Sequence, residues 1–186
     1  RRKYDWYAKR DMLYGLTTDA WTGIMAGVIS WRASHPNVVA SWRKAEEAFV
    51  AAIGNKGVWF EMAHRTHCLN HNGWMLVQLP SGRRLVYPNP RVVEAEDGGF
   101  RRIMFKGVDS FTRKFGDIQT GGPRLIENLT QAVARDCMFY NLEAVEQAGY
   151  PVILRIHDEL LCETPDLPEY TGDKLAAIMG QPPVWA

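Results

Sequence analysis

Between Gly121-Gly122-Pro123 and Gly149 the chain has no glycine or proline, and this stretch limits the possible folds more than any other. Proline suits the first turn of a helix, where its missing N–H would go unpaired anyway, and a glycine past the end allows a left-handed cap. The spacing predicts one long helix over residues 124–147. Leu125, Leu129, Ala132, Val133 and Tyr140 share an arc and are expected to face a core. Arg124, Asn128, Gln131 and Arg135 lie within roughly 60° of each other on the adjoining arc. That stripe offers hydrogen-bond donors and no carboxylate. Every amphipathic helix has a polar face, so the stripe alone names no ligand. Donors so arranged do suit a DNA minor groove, where every base pair shows an acceptor.

The N-terminal third reads as a helical hairpin. Thr17-Thr18-Asp19 offers N-caps, and Trp21, Ile24, Met25, Val28 and Trp31 recur at helical spacing up to Ser34. Pro36 stops that helix and opens a second, in which Val38, Trp42, Ala45, Phe49 and Ile53 continue to Gly54. The Trp-rich face of both helices is expected to be core. The middle changes period. Residues 74–79 and 84–87 read as strands around Pro80-Ser81-Gly82, Ile103-Met104-Phe105 as a third strand, and residues 94–99 as a loop. Pro151 leads into an apolar strand over residues 152–156, with a hairpin partner at 160–163. A last helix is expected over residues 170–179.

The tip of that last hairpin, Ile156-His157-Asp158-Glu159-Leu160, carries two acidic residues. A tight turn between apolar strands holds its side chains out of the core. Carboxylates placed this way suit Mg²⁺, a hard cation that takes a few carboxylates together with substrate phosphates. Asp and Glu are also common in turns, so the tip alone does not decide the chemistry.

Taken together, these segments resemble family A (DNA polymerase I-like) DNA polymerases, most closely the phage-type members. Residues 121–136, Gly121-Gly122-Pro123-Arg124 through Ala134-Arg135-Asp136, are similar to the long palm helix. Ile156-His157-Asp158-Glu159-Leu160-Leu161-Cys162-Glu163 resembles the motif C hairpin. Leu79-Pro80-Ser81-Gly82-Arg83-Arg84-Leu85 resembles the hairpin before the palm helix, and Trp31-Arg32-Ala33-Ser34-His35-Pro36 the fingers region just past motif B. Order and spacing agree over almost the whole chain.

The resemblance implies an α+β fold: an antiparallel palm sheet packed on the long helix, an N-terminal helical hairpin from the fingers, and an incomplete polymerase overall. Residues 1–56 would be the fingers-derived hairpin, and residues 57–186 a palm portion with the motif C hairpin at 151–164. It implies template-directed DNA synthesis in DNA replication, by nucleotidyl transfer from a dNTP to a primer 3′-OH. Asp158 and Glu159 would be the catalytic and metal-binding carboxylates. His157 would contact the primer end. Arg124, Asn128 and Gln131 would contact the minor groove of primer-template DNA. Two Mg²⁺ ions would serve, with the second Asp ligand outside this chain. The Asn-to-Gln spacing is three here and four in DNA polymerase I. Nothing in the chain matches motif A or motif B; Tyr14-Gly15 echoes the end of motif B but lies downstream of its place. The chain alone is therefore expected to be inactive and to need the rest of the polymerase chain or replisome proteins. Alternative readings are a non-catalytic nucleic-acid or replisome-partner module, and a single-subunit RNA polymerase relative.

The remaining features bound these readings. The 186 residues are 46% hydrophobic and 23% charged, ordinary for a globular chain. No apolar run is long enough to cross a bilayer, so no membrane partner is expected. The absence of an initiating Met suggests an upstream start. Three scattered cysteines, Cys68, Cys137 and Cys162, make no disulfide framework and suggest a reducing cytoplasm, that of the host if the chain is phage-encoded. Basic pairs at Arg83-Arg84, Arg101-Arg102 and Arg113-Lys114, and the cluster from Arg1 to Lys3, are candidate phosphate contacts or simply solvated surface. On a helix His64, His67 or Cys68, and His71 would share a face and could hold zinc, but Trp59-Phe60-Glu61-Met62 and Asn70, Asn72 and Gly73 favour strand and loop there.

Overall fold

The computed structural model describes residues 18–94 and 101–185. The proposed cap Thr17, the cluster from Arg1 to Lys3, Tyr14-Gly15 and most of the 94–99 loop lie outside the described residues. The chain divides into two compact units, Arg1–Ser41 and Trp42–Ala186. The first described elements are helix α1 (Thr18–Ser34) and helix α2 (Pro36–Gly54), with the division falling inside α2. Asp19 in the first turn of α1 and Arg32 in its last turn match the helix dipole. Between the helices, the His35 ring stacks on Trp31 with centroids 4.3 Å apart, and its Nδ1 lies 2.8 Å from the Trp31 carbonyl oxygen.

The expectation of a continuous Trp-rich core face fails in α1. Ile24 is 47% exposed and Trp31 45% exposed. The expectation holds further on, where Ala45, Ala48, Phe49 and Ala52 of α2 are buried.

In the second unit, α2 packs into a core shared with two antiparallel sheets. The first sheet runs in the order β1 (Trp59–Glu61), β2 (His67–His71), β3 (Trp74–Gln78), β4 (Arg84–Pro88). Asn72-Gly73 joins β2 to β3, both residues at positive φ, as a type I′ hairpin turn requires. Cys68, Asn70, Met75, Val77 and Tyr87 point inward and are buried. Burial pushes the Cys68 thiol up to about 12. The second sheet is β5 (Arg91–Val93), β6 (Arg102–Val108) and β7 (Phe115–Thr120). Strand β7 has no clear apolar alternation: Gly116 faces Gly107 across the ladder, and its pairing with β6 is what makes it a strand. Edge-to-face contacts run from Phe49 to Tyr87 (5.5 Å) and from Tyr87 to Phe105 (5.0 Å), joining α2, β4 and β6.

Helix α3 (Gly122–Tyr140) lays Leu125, Leu129 and Ala132 on this core. Its start is fixed by a close approach. A Cβ on Gly122 would fall 2.2 Å from the Trp42 carbonyl oxygen, and the Gly122 N–H donates to Glu46 Oε2 at 2.7 Å. That carboxylate meets the positive end of the helix dipole.

The single long helix expected over residues 124–147 is two. It stops at Tyr140, and a short helix α4 (Leu142–Gln147) follows. Asn141 between them is buried, and its Nδ2 donates to the carbonyls of Met179 and Gln181 at 2.9 and 2.8 Å. Those bonds tie the junction to the end of helix α5 (Gly172–Met179). Tyr140, expected inside, is 41% exposed. Strands β8 (Val152–Ile156) and β9 (Glu159–Cys162) form a separate two-stranded hairpin before α5. The architecture is α+β with antiparallel sheets. No described helix is long and apolar enough to cross a membrane.

Candidate functional site: a donor-lined groove and an acidic hairpin tip

Two neighbouring features collect the residues singled out in the sequence. The first is an open groove of about 540 Å³ between α3, β4 and β6. Asn128, Gln131 and Arg135 reach it from the helix, and Arg83 and Tyr87 from the strand side. Asn128 is half-buried, and its Nδ2 donates to the Tyr87 hydroxyl at 3.1 Å. Burial raises the Tyr87 pKa, and the bond from Asn128 partly offsets this. Gln131 is exposed and reaches Glu127 Oε1 at 3.5 Å, the outer limit of a hydrogen bond. Arg124 lies one turn earlier, with Nη1 donating to the Gln119 carbonyl of β7 at 3.0 Å.

Sequence reasoning missed the clamp that holds the groove open. Arg83 Nε donates to Asp136 Oδ1 at 2.6 Å, Arg83 Nη2 donates to the Ala132 carbonyl at 3.1 Å, and the Ser81 hydroxyl donates to the other Asp136 oxygen. The β3–β4 turn is thus bonded to the helix. The partners are 49 to 55 positions apart, and no local pattern pairs them.

The second feature is the β8–β9 hairpin. Ile156 pairs with Glu159, so His157 and Asp158 alone make the turn. His157 has φ 53°, and Asp158 is not at positive φ. That sign pattern is the one type II′ turns show, where the first position favours glycine. A histidine there costs of order 1 kcal/mol and persists because the flanking pairs fix the turn. His157, Asp158 and Glu159 are all exposed. A register shift between Val152 and Leu154 marks a bulge in β8, a device that bends a strand and re-aims its end.

One ring links the two features. Phe139 of α3 carries the Arg135 guanidinium over it at 5.0 Å and the Arg155 guanidinium at 4.6 Å. Arg135 ends the donor stripe, and Arg155 lies three residues before Asp158 on the hairpin. The acidic tip is within about 11 Å of chain from Arg155, which shares the Phe139 ring with the end of the stripe.

The chain is 35% identical over 159 residues, 86% of its length, to the DNA polymerase of Bacillus phage SP02. This chain resembles a phage DNA polymerase. It spans 24% of that relative's length. No family model matches the chain, and no solved structure does. This polymerase-like stretch takes in the groove and the tip, since an aligned region of that size leaves few residues out.

The metal expectation meets a limited donor set. Among the described residues no three His, Cys, Asp or Glu side chains gather as a metal site. Asp158 and Glu159 are adjacent, exposed carboxylates. They fit a hard cation that keeps several waters and draws other ligands from substrate phosphates. The zinc alternative meets a strand: His67 and His71 point outward from β2, while Cys68 points inward and is buried.

Proposed function

We propose that this chain supplies the palm and part of the fingers of a family A DNA polymerase, acting in template-directed DNA synthesis. In this reading residues 1–56 derive from the fingers and residues 57–186 from the palm, with motif C at 151–164. The observation that carries it is the link from the donor stripe, through the Arg135–Phe139–Arg155 contact, to a two-residue turn presenting Asp158.

Asp158 and Glu159 would hold Mg²⁺, with a further Asp supplied from outside the chain. Bound there, the metal supplies activation of the primer hydroxyl and neutralisation of charge on the leaving pyrophosphate. The chain's own contribution is positioning. The left-handed turn holds His157 beside the carboxylates, where it would touch the primer end. Gln131 and Arg124 would donate to minor-groove acceptors, which every correct base pair offers at equivalent positions. Asn128 has one N–H engaged by Tyr87, leaving its second N–H for the same purpose. Partners would be primer-template DNA, a dNTP and the remainder of the polymerase or its replisome, in the cytoplasm of a phage host.

The test is binding of a fluorescein-labelled primer-template duplex by the purified chain. Gln131→Ala should weaken binding roughly 5- to 10-fold, the loss of about one hydrogen bond's net worth. Unchanged affinity would remove the minor-groove role. The chain alone should not extend the primer. Extension that disappears in Asp158→Ala would show that its site is complete by itself.

A further inference from the structure

The β6–β7 hairpin ends in a tip whose apolar side chains are largely exposed. Phe111 is 94% exposed, Phe115 70% and Val108 61%. Val108 and Phe115 face each other across the ladder, on the side of the sheet opposite the buried Ile103. Arg113 and Lys114 sit between the two phenylalanines, and neither forms an ion pair among the described residues. The cation nearer the body of the sheet, Lys106, is already held by Asp117 at 2.7 Å.

The loop that displays these side chains is built, not slack. Asp109 Oδ1 accepts the N–H of Phe111 (3.0 Å), the N–H of Thr112 (2.7 Å) and the Thr112 hydroxyl (3.0 Å). The Asp109 N–H donates to the Lys114 carbonyl, and the Arg113 N–H to the Asp109 carbonyl, both at 2.9 Å. A fixed loop holding a phenylalanine in water displays apolar surface that folding alone would hide.

We infer that this tip is a contact for single-stranded DNA: Phe111 and Phe115 stack on unpaired bases while Arg113 and Lys114 meet the phosphates. The inference rests on the nucleic-acid reading of the groove and extends it. Unpaired aromatic faces beside unpartnered cations are the combination that single strands require, because every base has a face to stack and every nucleotide a phosphate. The centre of a protein–protein contact, by contrast, is poor in lysine. A duplex offers no base faces except at its ends, so it meets the cations but not the rings. The position suits a strand leaving the donor stripe of α3. Gln119, bonded to Arg124, lies four residues from Phe115 on the same strand, about 13 Å away at strand rise.

The test is fluorescence anisotropy of the whole chain with a labelled oligo-dT single strand and, separately, with a labelled blunt duplex. Phe111→Ala should weaken oligo-dT binding roughly 5- to 150-fold and leave the duplex within about twofold. Phe111→Trp should restore it, because the larger ring still stacks. The double variant Arg113→Glu, Lys114→Glu should reduce the salt slope of oligo-dT binding by about 1.4, from two phosphate contacts. All three positions are exposed, and circular dichroism checks that the variants stay folded. Oligo-dT affinity unmoved by both the Phe111→Ala and the double variant overturns the inference, as does binding of duplex without any binding of oligo-dT. In either case a duplex affinity that falls in Gln131→Ala leaves the polymerase reading standing. Oligo-dT binding through Phe111 without duplex binding supports the tip and counts against the groove.

Discussion

The β1–β4 sheet and the β8–β9 hairpin are both antiparallel, and they are held in opposite ways. The sheet has one buried face, with Cys68, Met75, Val77 and Tyr87 in one core cluster with Phe49 of α2. The hairpin exposes apolar side chains on both faces: Ile153, Leu154, Ile156 and Leu161 are each between 47% and 57% exposed. A lone two-stranded hairpin is marginal in water. This one is held at its base, where the Glu163 N–H donates to the Pro151 carbonyl at 3.1 Å, and at its side by Arg155 on Phe139. Tyr150, buried just before it, exchanges bonds of 3.1 Å with the backbone of Thr171. Stability is therefore concentrated in the sheet and α2, while the carboxylates stand on the part that buries least.

That contrast breaks most readily through the cysteines. Cys68 sits on a core strand with no exposed surface and a thiol pushed up to about 12; Cys162 sits half-buried on β9. A thiol reagent near neutral pH, followed by peptide mass spectrometry, should label Cys162 at least roughly a thousandfold faster than Cys68, which reacts only on global unfolding. Equal rates would mean that the sheet opens as easily as the hairpin. Truncation gives the next largest effect. Phe49→Ala should cost about 3–5 kcal/mol in urea denaturation, from lost burial and the cavity left behind. Leu154→Ala on the hairpin should cost under about 1 kcal/mol, because that side chain keeps half its surface in water. Comparable losses would put the hairpin inside the cooperative core. The smallest effect is at the turn. His157→Gly relieves a left-handed backbone at some entropic cost, for a net gain of about 0.5 kcal/mol. A clear loss of stability would show that the imidazole itself holds the tip together.

Local signals made much of this architecture legible. Caps, prolines and helical spacing marked α1 and α2, and a last helix is expected where α5 lies. Alternation around Pro80-Ser81-Gly82 marked β3 and β4, and the apolar runs around His157-Asp158 marked the last hairpin. The same residues carried the resemblance to phage-type polymerases, and so the candidate roles of Asp158, Glu159, Gln131 and Arg124. These signals survive in one dimension because helix spacing, turn chemistry and strand alternation act over a few residues.

What only the tertiary structure decided involves partners distant in sequence. Residues 115–120 become a strand because β6 offers a ladder, not because their own pattern demands one. The helix starting at Gly122 ends at Tyr140 because Asn141 is claimed by carbonyls some forty residues further on. Asn128 turns toward Tyr87, and Asp136 is claimed by Arg83, contacts that no spacing within one helix announces. A polar side chain inside a folded chain goes to whichever partner packing brings within reach, and the cost of leaving it unpaired fixes that choice.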